Sequence, residues 1–183
     1  MKTNNSSLFH LFAIAGILSA CHSDKPQIQQ VKIYYSNGSL FCEGAHFYSD
    51  DKKDTIRVGV WKFYFPSKQL ESEQEYDEKG ELNRLNEYSD RGVLLASSSK
   101  KDNLWIQSQF YESGKLKSET VTQTDEGEYQ TLQTANVKEY YSSGRLFSES
   151  HYIDGLLDGT MTRWDSSGNI VLKVNYRRGL VQK

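Results

Sequence analysis

The stretch Lys138–Leu172, KEYYSSGRLFSESHYIDGLLDGTMTRWDSSGNIVL, decides the fold. In it an aromatic residue is followed three or four positions later by Gly, then by one more residue, then by Leu or Ile, as in Tyr141–Gly144–Leu146 and Trp164–Gly168–Ile170. A Gly so placed supplies the positive φ that a tight turn demands and that side chains resist. The phrase therefore predicts a strand ending in aromatics, a tight turn and a returning strand.

Outward from this stretch the phrase recurs as Tyr35–Gly38–Leu40, Tyr76–Gly80–Leu82, Tyr88–Gly92–Leu94 and Tyr111–Gly114–Leu116. Gly59–Leu70 (GVWKFYFPSKQL) is a further unit in which Lys68 stands where the others have Gly, and Pro66 still favours a turn. Alternation puts Trp61, Phe63 and Phe65 on one strand face, with Lys62 and Tyr64 on the other. Ser49–Thr55 and Ser97–Asn103 are predicted loops, and turns are predicted at Asp125–Gly127 and Arg177–Gly179. Glu128–Tyr141 exceeds an ordinary strand, so a break is expected near Ala135–Asn136. The expected fold is all-β: an elongated antiparallel meander, a single-layer sheet of repeated hairpins.

The chain has 183 residues, enough for one domain or one short repeat array. Its 12 Tyr, 8 Phe and 3 Trp against 2 Pro suit strands, where rings pack across neighbouring strands. The net charge is −2 with both signs interspersed, so no basic stripe exists to neutralise phosphates, and nucleic acid is not an expected partner.

The N-terminus is a different kind of sequence. Lys2 gives a cationic start, Leu8–Ile17 (LFHLFAIAGI) is mostly apolar, and no acidic residue precedes Asp24. The run is too short to span a membrane and predicts a secretory leader over residues 1–20. It leads into Leu18-Ser19-Ala20-Cys21, which resembles the lipobox of bacterial lipoproteins. The resemblance implies cleavage before Cys21, diacylglycerol on its sulfur and further N-acylation. More than one acyl chain would hold the protein to a membrane of the cell envelope, facing the periplasm or the surface. An ordinary secreted protein with a Cys near its cleavage site is the plainer alternative. Residues 21–30 are a polar tether, and residues 31–183 form the repeat domain. Cys42 is expected to be a small, half-buried strand residue.

The units Gly59-x-Trp61-Lys62-x-Tyr64, Tyr35-x-x-Gly38-x-Leu40, Tyr111-x-x-Gly114-x-Leu116, Tyr141-x-x-Gly144-x-Leu146 and Tyr152-Ile-Asp-Gly155-x-x-x-Gly159 resemble bacterial MORN-repeat variants, among them antitoxin-like repeat proteins. The resemblance covers most of Val31–Gly179 and implies hairpins stacked one on the next with contacts local in sequence. Two departures stand out. The spacing of the glycines is irregular, and Tyr76–Leu94 is closer to the tyrosine-aspartate repeats of shell-forming surface proteins.

Few residues invite chemistry. Tyr35, Trp61, Tyr64, Trp105, Tyr141 and Trp164 are the candidate aromatic binding face for sugar, peptide or lipid headgroup, although rings packed within the sheet are the plainer expectation. Glu71, Glu73 and Glu75 share one strand face by period two, as a solvated surface would. Cys42 and His46 also share a face, without an orienting partner; His151 reads as a strand residue. Asp154–Gly159 lacks the alternating oxygen ligands and closing Glu of a calcium loop. No catalytic residue, metal or cofactor is expected. The expected function is a lipid-anchored envelope module that binds a protein partner or serves as structure. The alternatives are a protein that binds or processes envelope polysaccharide, with Glu71, Glu73, Asp154 and Asp158 as acid/base candidates, and an antitoxin-type inhibitor.

Overall fold

Residues that alternate ring or aliphatic with polar side chains favour extended backbone, whose amides must find partners on neighbouring strands. In the computed structural model, which describes residues 26–49, 54–126 and 131–183, they find them in the next segment of the chain. The predicted leader, residues 21–25 of the tether with Cys21 among them, residues 50–53 of the predicted Ser49–Thr55 loop, and residues 127–130 lie outside the described residues. The strands are β1 (Gln29–Tyr34), β2 (Leu40–Tyr48), β3 (Thr55–Tyr64), β4 (Leu70–Tyr76), β5 (Leu82–Tyr88), β6 (Leu94–Lys101) and β7 (Leu104–Phe110). They continue with β8 (Leu116–Glu126), β9 (Thr131–Tyr140), β10 (Leu146–Ile153), β11 (Leu156–Leu157), β12 (Gly159–Trp164), β13 (Ile170–Arg177) and β14 (Leu180–Val181). They form one antiparallel sheet in chain order, except that the short β11 folds back on β10 and β12 resumes beside it. The predicted all-β meander is what the chain forms.

One turn recurs throughout. The second residue of each unit, namely Tyr35, Phe65, Asp77, Ser89, Tyr111, Tyr141 or Asp165, accepts a hydrogen bond from the N–H three residues on. It also donates its own N–H to the carbonyl four residues on, at 2.8–3.1 Å throughout. The aromatic before it pairs across the ladder with the aliphatic that closes the unit: Tyr34 with Leu40, Tyr64 with Leu70, Tyr76 with Leu82, Tyr88 with Leu94, Phe110 with Leu116, Tyr140 with Leu146 and Trp164 with Ile170. Directly beyond each pair the register shifts by one residue, a β-bulge that lets this turn join twisted strands. Lys68 keeps this geometry without Gly, at φ 73°.

Three expectations are corrected. β9 runs unbroken through Ala135 and Asn136, because each residue from Thr131 to Glu139 has a ladder partner on β8. β6 takes in Ser97–Lys101, because β7 supplies a ladder partner for each of these residues and β5 for Ser97–Ser99, and only Asp102–Asn103 turn. β8 extends through Asp125 and Glu126, which pair with Leu132 and Thr131.

A single sheet has little interior. Among the described residues the buried hydrophobic side chains are Cys42, Val58 and Trp61. Successive hairpins are instead fastened at the turns. Tyr35 Oη donates to the Tyr64 carbonyl at 2.8 Å, Tyr111 Oη to Tyr140 at 2.7 Å, and Tyr141 Oη to Trp164 at 2.8 Å. Where the second residue is Asp or Ser it closes its own turn: Asp77 accepts from the Lys79 and Glu81 amides, Ser89 from Arg91 and Val93, Asp165 from Ser167 and Asn169.

Turn strain is testable by exchange at equivalent sites. A side chain in the left-handed region costs roughly 1–2 kcal/mol, so Lys68→Gly is expected to stabilise the fold by about 1 kcal/mol. Gly144→Val, at φ 92°, is expected to destabilise it by roughly 1–3 kcal/mol. Thermal unfolding of the two variants reads the opposite shifts in Tm, and equal shifts would mean that turn geometry does not govern stability.

Candidate binding faces

Alternation along each strand, carried across the ladders by their register, sorts the side chains into two faces. One carries Cys42, Gly44, His46, Trp61, Phe63 and Trp105; the other carries Lys32, Glu43, Lys62, Tyr64, Glu73 and Trp164. The six candidate aromatics are therefore divided. Trp61 and Trp105 lie on the first face, Tyr64 and Trp164 on the second. Tyr35 and Tyr141 lie in turns with rings edge-on to Phe41 and Phe147 and with hydroxyls bonded to the next turn.

Trp61 is 5% exposed, its indole N–H donating to the Ala45 carbonyl at 2.8 Å. It lies flat over Gly44, where a Cβ would meet the ring at 2.2 Å, and Arg57 stacks on its other side at 4.7 Å. This packing answers the Cys42–His46 question. The two do share a face, but they stand about 13 Å apart along the strand with Gly44 between them, beneath the indole. Burial pushes the Cys42 thiol up, away from the thiolate a nucleophile needs. His46 is buried beside Tyr48, and its Nε2 has no hydrogen-bond partner. His151 lies on the opposite face, its Nδ1 2.8 Å from Asn136 Oδ1. Farther along, Trp105 lines an open groove of about 360 Å³ with Leu85, Gln107, Thr122 and Gln133.

The candidate carboxylates are also spread out. Glu73 and Glu75 share a face, opposite Lys62 and Arg84 at 3.8 and 3.0 Å. Glu71 occupies the bulge between the Tyr64–Leu70 and Phe63–Ser72 pairs, so period two does not extend to it, and it lies near Tyr35. Asp154 Oδ1 accepts from the Gln133 amide and Asp158 Oδ2 from that of Arg178. Six strand steps separate β4 from β10, about 29 Å, well beyond the carboxyl separation of a glycosidase.

Sequence reading missed a transverse row on the Tyr64 face. Lys32, Glu43, Lys62, Glu73, Asn86, Ser97, Ser108, Glu119, Lys138, Glu149, Thr162 and Lys173 stand opposite one another in unbroken succession from β1 to β13. Its charges alternate wherever they are adjacent, with Lys32–Glu43 closing to 3.1 Å and Lys138–Glu149 to 3.6 Å. An open groove of about 420 Å³ lies over the row's first strands, between Gln30, Lys32, Glu43, Val60, Lys62 and Glu73. The Tyr64 hydroxyl, donating at 2.8 Å, and Lys32 hold the Glu43 carboxyl below its usual range. Burial, with Glu43 as acceptor, pushes the Tyr64 phenol up to about 12. The residue types were visible in the sequence, but their alignment needs the register.

An open sheet that repeats one strand–turn–strand phrase is a hairpin repeat array. The sequence profile of the MORN repeat variant matches residues 57–78, 106–123, 133–154 and 157–178, and these segments of the array carry that repeat. The matched segments centre on the turns after Tyr64, Phe110, Tyr140 and Trp164. The hairpins at Tyr34–Leu40 and Tyr88–Leu94 have the same geometry outside the matched segments. No curated protein matches the chain.

Gly44→Ala is expected to displace the Trp61 indole, costing roughly 1–3 kcal/mol and shifting tryptophan emission to the red; unchanged emission would place the ring elsewhere. The raised phenol favours the folded state while protonated. Its stabilisation is therefore complete below the unfolded value near 10 and is lost as pH rises towards about 12. Spectrophotometric titration should show one tyrosine in that late range, moved lower by Glu43→Gln.

Proposed function

We propose that this chain is a non-enzymatic, lipid-anchored module of a bacterial cell envelope whose sheet binds another protein. The observation that carries the reading is the disproportion between a small interior and an extended, charge-ordered surface. Thirteen strands in linear succession bury three hydrophobic side chains among the described residues, and both faces of the sheet stay open. Repeat arrays of this kind present surface at low cost, since each unit needs only its neighbours. The export and anchoring part rests on Leu18-Ser19-Ala20-Cys21. An enzymatic role on polysaccharide has little support, because Glu71 and Glu73 on β4 stand six strand steps from β10 and the Asp154–Asp158 turn, Glu73 faces Lys62, and Asp154 and Asp158 accept from backbone amides. Glycan binding without catalysis keeps one specific observation, the Trp105 groove with its Gln and Thr neighbours. Inhibition of a cytosolic toxin does not fit an exported chain.

Crosslinking and pull-down of the lipidated protein from its native envelope should recover one protein in stoichiometric amount, and Cys21→Ser should release the chain from membranes. Recovery of glycan alone would move the reading to the Trp105 groove, and continued membrane fractionation of Cys21→Ser would remove the anchor.

A further inference from the structure

We infer that the outer edge of β1 receives an extended strand of the protein partner, added antiparallel to the sheet, with an acidic side chain opposite Lys32. The inference rests on the protein-binding reading and specifies where and how the partner docks. β1 ends the strand order, and among the described residues nothing pairs with the side of Gln29–Tyr34 that faces away from β2. Such an edge is a row of amide donors and carbonyl acceptors in strand spacing, the template for adding one more strand. At the other end of the sheet, β14 covers the upper part of β13 and the Gln182 amide bonds to the Asn175 carbonyl, so the six-residue edge of β1 is the less obstructed one.

The transverse row gives the added strand its chemistry. Read inward from the edge it runs Lys32, Glu43, Lys62, Glu73, and each member lies between residues of opposite or neutral character. Lys32 ends the row, matched by Glu43 on its inner side and, among the described residues, by nothing on its outer side, so the residue that continues the alternation is Asp or Glu. The groove over Lys32, Glu43 and Lys62 leaves room on that face for the incoming side chain. A second copy fits poorly. The row also ends in a cation at β13, so stacking one sheet on the next in register would set Lys173 against Lys32.

The test uses the full-length chain in detergent with labelled peptides of alternating Thr and Val around a central Glu, Gln or Lys. Fluorescence anisotropy should rank Glu above Gln above Lys, with about three- to tenfold between the extremes. In Lys32→Glu the order should invert, and in Lys32→Gln it should flatten. Lys32 is 59% exposed, so Lys32→Gln is expected to keep a melting temperature close to the wild type, while Lys32→Glu, which then faces Glu43, is expected to lower it slightly; both are checked alongside. On binding, hydrogen exchange should slow in residues 29–34 and nowhere on the opposite edge. Equal affinity for the three peptides, no binding of any, protection at β13, or self-association that competes with the peptide would each overturn the inference. The pull-down reports separately on whether a protein partner exists, so the edge can fail while the binding reading stands.

Discussion

The hydrogen bond from the Tyr35 hydroxyl to the Tyr64 carbonyl, repeated from Tyr111 to Tyr140 and from Tyr141 to Trp164, fastens hairpins that could not stand alone. A hairpin in water is marginal, and a one-layer sheet offers no second layer to bury against. Stability must come from neighbour on neighbour, through ladders and through contacts at the turns. At the second position of the unit Tyr reaches forward to the next turn and Asp or Ser closes its own, while Phe65 offers no side-chain hydrogen bond and its turn rests on the backbone pair alone. Where Ser89 stands, no hydroxyl reaches the next turn, and Arg91 and Glu112 bridge that step at 2.7 Å. Exposed ion pairs contribute little each, so the ladders carry most of the weight there.

The same economy explains where large side chains go. Small residues in mid-strand make room for rings from the next strand, as Gly44 does for Trp61. The ring is thereby buried and packs as part of the scaffold. What stays open includes the charged row on one face, the Trp105 groove on the other, and exposed aliphatic side chains such as Ile170, Val171 and Leu180. Order on the exposed face without enclosure suits recognition of an extended surface better than chemistry on a small substrate, which needs convergent groups in a cleft.

An edge of unpaired amides is a hazard unless something limits what may pair with it. Lys32 and Lys173 place a cation at each end of the row, which disfavours stacking of copies while leaving an acidic strand acceptable. Avoidance of self and choice of partner would then share one physical cause.

The hairpin phrase was legible because each of its parts obeys local rules. Gly adopts positive φ, aromatics and Leu favour strands, and a meander needs no long-range information, so all-β architecture and turn positions could be read from residues such as Tyr141, Gly144 and Leu146. Local rules also misled where packing prevailed. Ser97–Lys101 looked like loop and became strand because its neighbours supply the ladder, and β9 crosses Ala135–Asn136 because β8 is long enough to pair with it. Which residues face one another could not be read, since each turn bulge shifts the register by one, the irregularity between β2 and β3 shifts it by two, and only the paired strands reveal the sum. The sequence by itself determined the repeat, the aromatic–Gly–Leu turns and the anchor-like Cys21 motif. Only the tertiary structure decided that Trp61 is buried over Gly44, that Glu71 leaves the face of Glu73, and that Lys32, Glu43, Lys62 and Glu73 stand in one row, because register is a property of pairs of strands.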